Sequence, residues 1–123
     1  MRTKIVNMCL MRGDTAHIGI TIKGLENAPD AITFSVKQYK GDSTYVFQKT
    51  LEDGIEPEEI EQVQGEEPST DLRYIITIEP EDTERLKSRV YCYDCEFIIN
   101  GDVMTLLAGD LNLVADVTRH LGR

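Results

Sequence analysis

The sequence predicts an all-β domain: an antiparallel, immunoglobulin-like β-sandwich of seven or eight strands with one short helical turn. Three observations point there. Apolar residues recur at every second position in several short runs, the period of a strand with one face buried and one face wet. Gly, Pro, Asn and Asp punctuate the intervals between those runs. No run keeps the three-to-four-residue apolar spacing of a long amphipathic helix.

Taken in order, "KIVNMCLM" is the first strand candidate, and Arg12-Gly13-Asp14 follows as a tight turn. From Thr15 the run "TAHIGITI" sets Ile18, Ile20 and Ile22 on one face and His17, Gly19 and Thr21 on the other. "LENAPD" supplies turn residues before "AITFSVK", where Ile32, Phe34 and Val36 face inward. "KGDS" turns the chain again into "TYVFQKT". Residues 52–71 then carry Glu52, Asp53, Glu56, Glu58, Glu59, Glu61, Glu66, Glu67 and Asp71, which reads as a self-repelling solvated loop with room for a helical turn around "PEEIEQV". "LRYIITI" is the next strand and stops at Pro80, after which "EPEDTERL" has room for one short helical turn. "VYCYDCEFIIN" is the longest strand candidate, and Asn100-Gly101 is the strongest hairpin signal in the chain. "DVMTLLAGD" returns, and "LNLVADV" closes with Leu111, Leu113, Ala115 and Val117 on one face.

With 123 residues, the chain is expected to form a single β-sandwich domain over residues 1–123, with the acidic loop at about 52–71. A chain of this length buries enough surface to fold without disulfides or a structural metal. It holds 22 acidic and 13 basic residues, a formal charge of −9, so nucleic acid is not expected as a partner. No apolar run is long enough to span a bilayer, so no membrane partner is expected either. The N-terminal apolar stretch is short, contains Asn7 and lacks a small-residue cleavage site, so no signal peptide is read and a cytoplasmic origin is expected.

The C-x-x-C spacing of Cys92 and Cys95 raises the possibility of redox or metal chemistry. On a strand, however, residues an odd number apart project from opposite faces, so the two sulfurs do not converge. Redox C-x-x-C pairs work at a helix N-terminus, whereas Tyr91, Tyr93, Phe97, Ile98 and Ile99 are strand formers. Cys9, His17 and His120 offer no second paired spacing for zinc. By parity Cys95 joins Tyr91, Tyr93, Phe97 and Ile99, while Cys92 sits with Asp94, and all three cysteines are expected to be free thiols.

Other features are read the same way. Arg12-Gly13-Asp14 spells an adhesion tripeptide but also suits a turn. No Ser stands in a G-x-S-x-G elbow, and His17 lies on a polar strand face, so Ser-His-Asp hydrolysis is not expected. The acidic segment lacks the D-x-D-x-D-G spacing of a calcium loop. Asp94, mid-strand, must reach solvent or a partner such as Arg89, Thr105 or a backbone N–H, in a structural rather than catalytic role. No catalytic, cofactor-binding or metal-binding residue is assigned, no cofactor is expected, and the chain reads as a non-enzyme.

Several blocks occur in a fixed order: "RGDT", "FSVK", "FQK" followed by "DGI", "PEDT", "YCYD", and a closing "TLLAGDL" with "DVT". From about Arg12 to Thr118 this pattern resembles a family of small bacteriophage and prophage structural proteins of Gram-positive hosts, associated with tail or baseplate assembly. Two departures are Ser88-Arg89, where the family often has Pro-Gly, and the cysteines flanking Tyr93-Asp94. The resemblance implies a non-enzymatic virion component, made in the bacterial host cytoplasm and carried into the virion, whose partners are other tail or baseplate proteins, with homo-oligomerisation possible. It also implies structural roles: Gly13-Asp14-Thr15 setting a first hairpin, Glu81-Asp82-Thr83 a capped turn, Tyr91 and Tyr93 in the core, and Gly109 at a bend. The rival expectations are a carbohydrate-binding sandwich of a receptor-binding apparatus, for which Tyr39 and Tyr45 are the candidate stacking residues, and an assembly chaperone absent from the mature particle.

Overall fold

The computed structural model describes residues 3–24, 27–58, 65 and 71–117. They form an all-β, sandwich-like fold: one curled sheet whose strands follow the alternation in the sequence. The strands are β1 (Lys4–Ile5), β2 (Met8–Met11), β3 (Ala16–Ile22), β4 (Ala31–Lys37), β5 (Phe47–Leu51), β6 (Gly54–Glu58), β7 (Leu72–Ile78), β8 (Arg89–Ile99) and β9 (Asp102–Val114), with a single helical turn α1 (Pro80–Thr83). The hydrogen-bonded order is β1-β9-β8-β4-β5-β6-β7-β3, and β2 lies beside β9 beyond β1.

The sheet is mixed rather than purely antiparallel. Pairings β3–β7, β4–β5, β4–β8, β6–β7 and β8–β9 are antiparallel, whereas β1 and β2 run parallel to β9 and β5 meets β6 in parallel at two positions. The β5–β6 contact marks a change of layer. Thr50 N–H donates to Asp53 O at 3.0 Å and Glu52 N–H to Ile55 O at 3.0 Å, closing a tight loop. Glu52 (φ 71°) and Gly54 (φ 101°) take the left-handed conformation this loop needs. The chain thereby leaves the half built from β1, β2, β9, β8, β4 and β5 and enters the half built from β6, β7 and β3.

The inner faces of both halves meet in one core. Ile32, Phe34 and Val36 from β4, Phe47 from β5, Tyr91, Tyr93, Cys95 and Phe97 from β8, and Leu111 and Leu113 from β9 pack with Ile20, Ile22, Ile55, Tyr74, Ile76 and Ile78 from the smaller half. Phe34 stacks obliquely on Tyr93 with centroids 5.4 Å apart and on Phe47 at 6.3 Å. Each buried aliphatic or aromatic side chain here contributes about 1.5–3 kcal/mol of burial.

Some elements differ from the sequence reading. "DVMTLLAGD" and "LNLVADV" are one thirteen-residue strand rather than two. It ends at Val114, so Ala115 and Val117 are exposed, because Asp116 turns back to meet Arg12. The N-terminal run is split at Val6-Asn7 into β1 and β2. The acidic segment is expected as a solvated loop with room for a helical turn, yet Gly54–Glu58 within it form β6; the "PEEIEQV" turn falls largely outside the described residues. Asn100 (φ 50°) and Gly101 (φ 85°) form the expected hairpin turn between β8 and β9.

Candidate functional site

Three of the chain's passages between the two halves lie at one end of the molecule: β2 to β3 through Arg12-Gly13, β5 to β6 through Glu52-Asp53, and β7 to β8 through α1. The side chains that hold them together come from the ordered sequence blocks. Gly13, buried at φ 82°, donates its N–H to Thr83 Oγ1 at 2.8 Å, and Thr83 is the one buried polar residue among those described. Arg12 Nε pairs with Asp116 Oδ1 at 2.9 Å, and its Nη1 donates to Leu86 O at 3.3 Å. Lys49 Nζ reaches Asp82 Oδ2 at 2.7 Å while its stem lies over Gly54, where a Cβ would collide with it. Asp82 also accepts the Glu79 N–H at 2.7 Å, capping α1 as the sequence implied.

This geometry decides two expectations. Arg12 is mostly buried and doubly bound, so the Arg-Gly-Asp tripeptide is a strut, not a free adhesion loop. Nor does Gly13-Asp14-Thr15 set a hairpin. Asp14 N–H does close a turn onto Met11 O at 3.2 Å, but β2 then pairs with β9 and β3 with β7, at opposite edges of the sheet.

On β8, Cys95 is fully buried among core side chains and Cys92 lies on the outer face, as parity requires. Burial pushes the Cys95 thiol up to about 12, with Asp94 and Glu96 adding to the effect, so it stays protonated and unreactive. Cys92 Sγ donates to Lys37 O at 3.4 Å. Among the described residues no group of three His, Cys, Asp or Glu side chains is placed to hold a metal ion.

The outer face of β4, β8 and β9 holds a cleft of about 520 Å³, lined by Ser35, Lys37, Lys40, Cys92, Asp94 and Asp110 among others. Cross-strand register builds it: Ser35 stands opposite Asp94 and Asp94 opposite Ala108, while Lys37 faces Cys92 and Cys92 faces Asp110. Ala108 and Gly109 also line it, and a glycine is required at position 109. A Cβ at Gly109 would lie 2.2 Å from Val6 O, where the break between β1 and β2 crosses β9. Val6 O also accepts the Tyr93 hydroxyl at 2.5 Å, and Asn7 Oδ1 accepts the Asp110 N–H at 3.0 Å. Gly109 is thus a close-approach site inside a continuous strand, not a bend.

Burial raises the Asp94 carboxyl above its ordinary value, and Lys37 opposes the shift. The nearby positive charge is that of Lys37, whereas the Arg89 guanidinium lies over the rings of Tyr39 (4.6 Å) and Tyr91 (5.4 Å). The sequence could not show this, because Lys37 and Asp94 become diagonal neighbours only through the β4–β8 register. Two polar groups of the cleft are bound to the fold: Ser35 Oγ accepts from Gln48 Nε2 at 2.9 Å and Lys37 Nζ donates to Asp42 O at 2.8 Å.

His17 stands on the exposed face of the smaller half, its Nδ1 3.1 Å from Thr77 Oγ1, which is its direct cross-strand partner. Tyr39 and Tyr45 are both exposed, but Arg89 already lies over one of them, Tyr39. His120 lies outside the described residues. No helix of the described residues is long and apolar enough to cross a membrane. In comparisons with known proteins, no family model and no curated protein matches this chain.

Proposed function

We propose that this chain is a non-enzymatic bacteriophage or prophage virion component, a tail or baseplate subunit that docks other virion proteins. The observation that supports the reading is the meeting of the ordered sequence blocks at one end of the sandwich. Arg12 and Gly13 of "RGDT", Lys49 of "FQK", Gly54 of "DGI", Asp82 and Thr83 of "PEDT" and Asp116 of "DVT" bind one another there. Residues far apart in sequence that lock three layer crossings together are what a shared scaffold demands. A shared active site would instead draw its common residues toward a cleft. In this reading the scaffold is the inherited part, and the faces and edges of the sheet carry the contacts to neighbours. The chain is synthesised in the host cytoplasm and leaves it in the particle.

Quantitative mass spectrometry of purified particles, counting copies of this chain per virion, tests the reading. A fixed copy number in multiples of three is the expected result. Absence from particles assembled in its presence would overturn it and favour an assembly chaperone.

A further inference from the structure

We propose that the outer edge of β3 is a self-association surface, on which a second copy of this chain pairs its own β3 antiparallel about a two-fold axis through Gly19. The inference goes beyond the virion reading and holds whatever particle the chain belongs to. Strand β3 ends the sheet, and among the described residues nothing pairs with its outer side. Its seven residues pair with β7 without a bulge, so the edge runs straight, and alternate residues turn their N–H and C=O groups outward. Edge strands are normally blunted by charge, proline, a bulge or brevity. "AHIGITI" has none of these devices.

What such an edge accepts follows from its sequence, which reads nearly the same in both directions from Gly19. In the two-fold register, Ile18 opposes the partner copy's Ile20, Ala16 opposes Ile22, and His17 opposes Thr21. All sums of paired positions are even, so inward residues meet inward residues and the two cores join beneath a continuous sheet. Ile18 and Ala16, only half-buried in one copy, gain apolar neighbours. The charge pattern also suits a second copy. The chain carries a net −9, yet β3 has no charged residue. Its exposed flanks carry one charge of each sign, Asp14 before the strand and Lys23 after it, and the antiparallel arrangement brings each beside the other's end.

The test uses the full chain in sedimentation equilibrium across micromolar to millimolar concentration, with two double variants that share T21K. In H17K/T21K, lysine opposes lysine twice across the two-fold axis; in H17E/T21K, glutamate opposes lysine twice. The first variant reduces the magnitude of the net charge, from −9 to −9 + 2 = −7, which on its own would favour association. The second leaves it at −9 − 1 + 1 = −9. The expected result is a wild-type dimer, about tenfold or more weakened in H17K/T21K and restored in H17E/T21K, with circular dichroism unchanged in both. A wild-type chain that stays monomeric at about millimolar concentration, or two variants that associate equally, would overturn the proposal.

Discussion

The two edges of the sheet are built in opposite ways. One is broken into β1 and β2, of two and four residues, and the break at Val6-Asn7 is pinned onto β9 by Gly109, Tyr93 and Asp110. The other, β3, runs seven residues without interruption and presents only neutral side chains. In the proposal above, the unbroken edge β3 is the one that accepts a strand from a second copy, while the short, interrupted edge of β1 and β2 does not. The Arg12-Gly13 turn joins these two edges in sequence, carrying the chain from β2 at one side of the sheet to β3 at the other.

Gly109→Val tests the sealed edge and should have the largest effect. Its side chain would collide with the Val6 carbonyl and displace β1 and the start of β2, with loss of the bonds from Tyr93 and Asp110. A destabilisation on the order of 3 kcal/mol is expected in urea unfolding. Thr83→Val tests the passage between the edges. It keeps the shape but removes the buried bond from the Gly13 N–H to Thr83 Oγ1, for about 1–3 kcal/mol.

Next to the sealed edge's support strand β9 lies β8, where Cys95→Ser should cost about 1–3 kcal/mol by burying a hydroxyl. Cys92→Ser, on the outer face, should stay within about 0.5 kcal/mol. The same strand sets a pH dependence. The folded Cys95 thiol keeps its proton up to about 12, above the ordinary value of 9.0, so its contribution is fully present below pH 9 and is lost as pH rises toward 12. Burial raises Tyr74, Tyr91 and Tyr93 in the same direction. Thermal midpoints should therefore fall above pH 9, and less steeply in Cys95→Ala once its lower starting stability is subtracted. The smallest effect is expected from Gly19→Ala on the open edge, where the new methyl meets nothing. A change within about 1 kcal/mol, of stabilising sign, would contrast with the collapse at Gly109.

The faces of the strands were legible in the sequence because parity is a local property. Ile32, Phe34 and Val36, and Tyr91, Tyr93, Cys95 and Phe97, lie inward as their alternation requires. Partners were not legible, because pairing is decided by where the chain crosses between layers. Asp14 in a turn suggests a hairpin, but the hydrogen bond from Gly13 to Thr83 sends β2 and β3 apart. The short strand β6 was hidden by its glutamates, whose outward positions leave Ile55 as its single buried apolar residue. The split at Val6-Asn7 and the need for Gly109 are two sides of one contact across about a hundred residues, which no local spacing encodes. The nearness of Lys37 to Asp94 likewise arises only from the β4–β8 register.

Hydrogen exchange at increasing protein concentration compares the two edges within one molecule. The account predicts that β3 amides facing away from β7 gain protection as concentration rises, while amides of β1 and β2 do not change. Equal exchange of β3 at every concentration, or added protection along β1 and β2 instead, would contradict it.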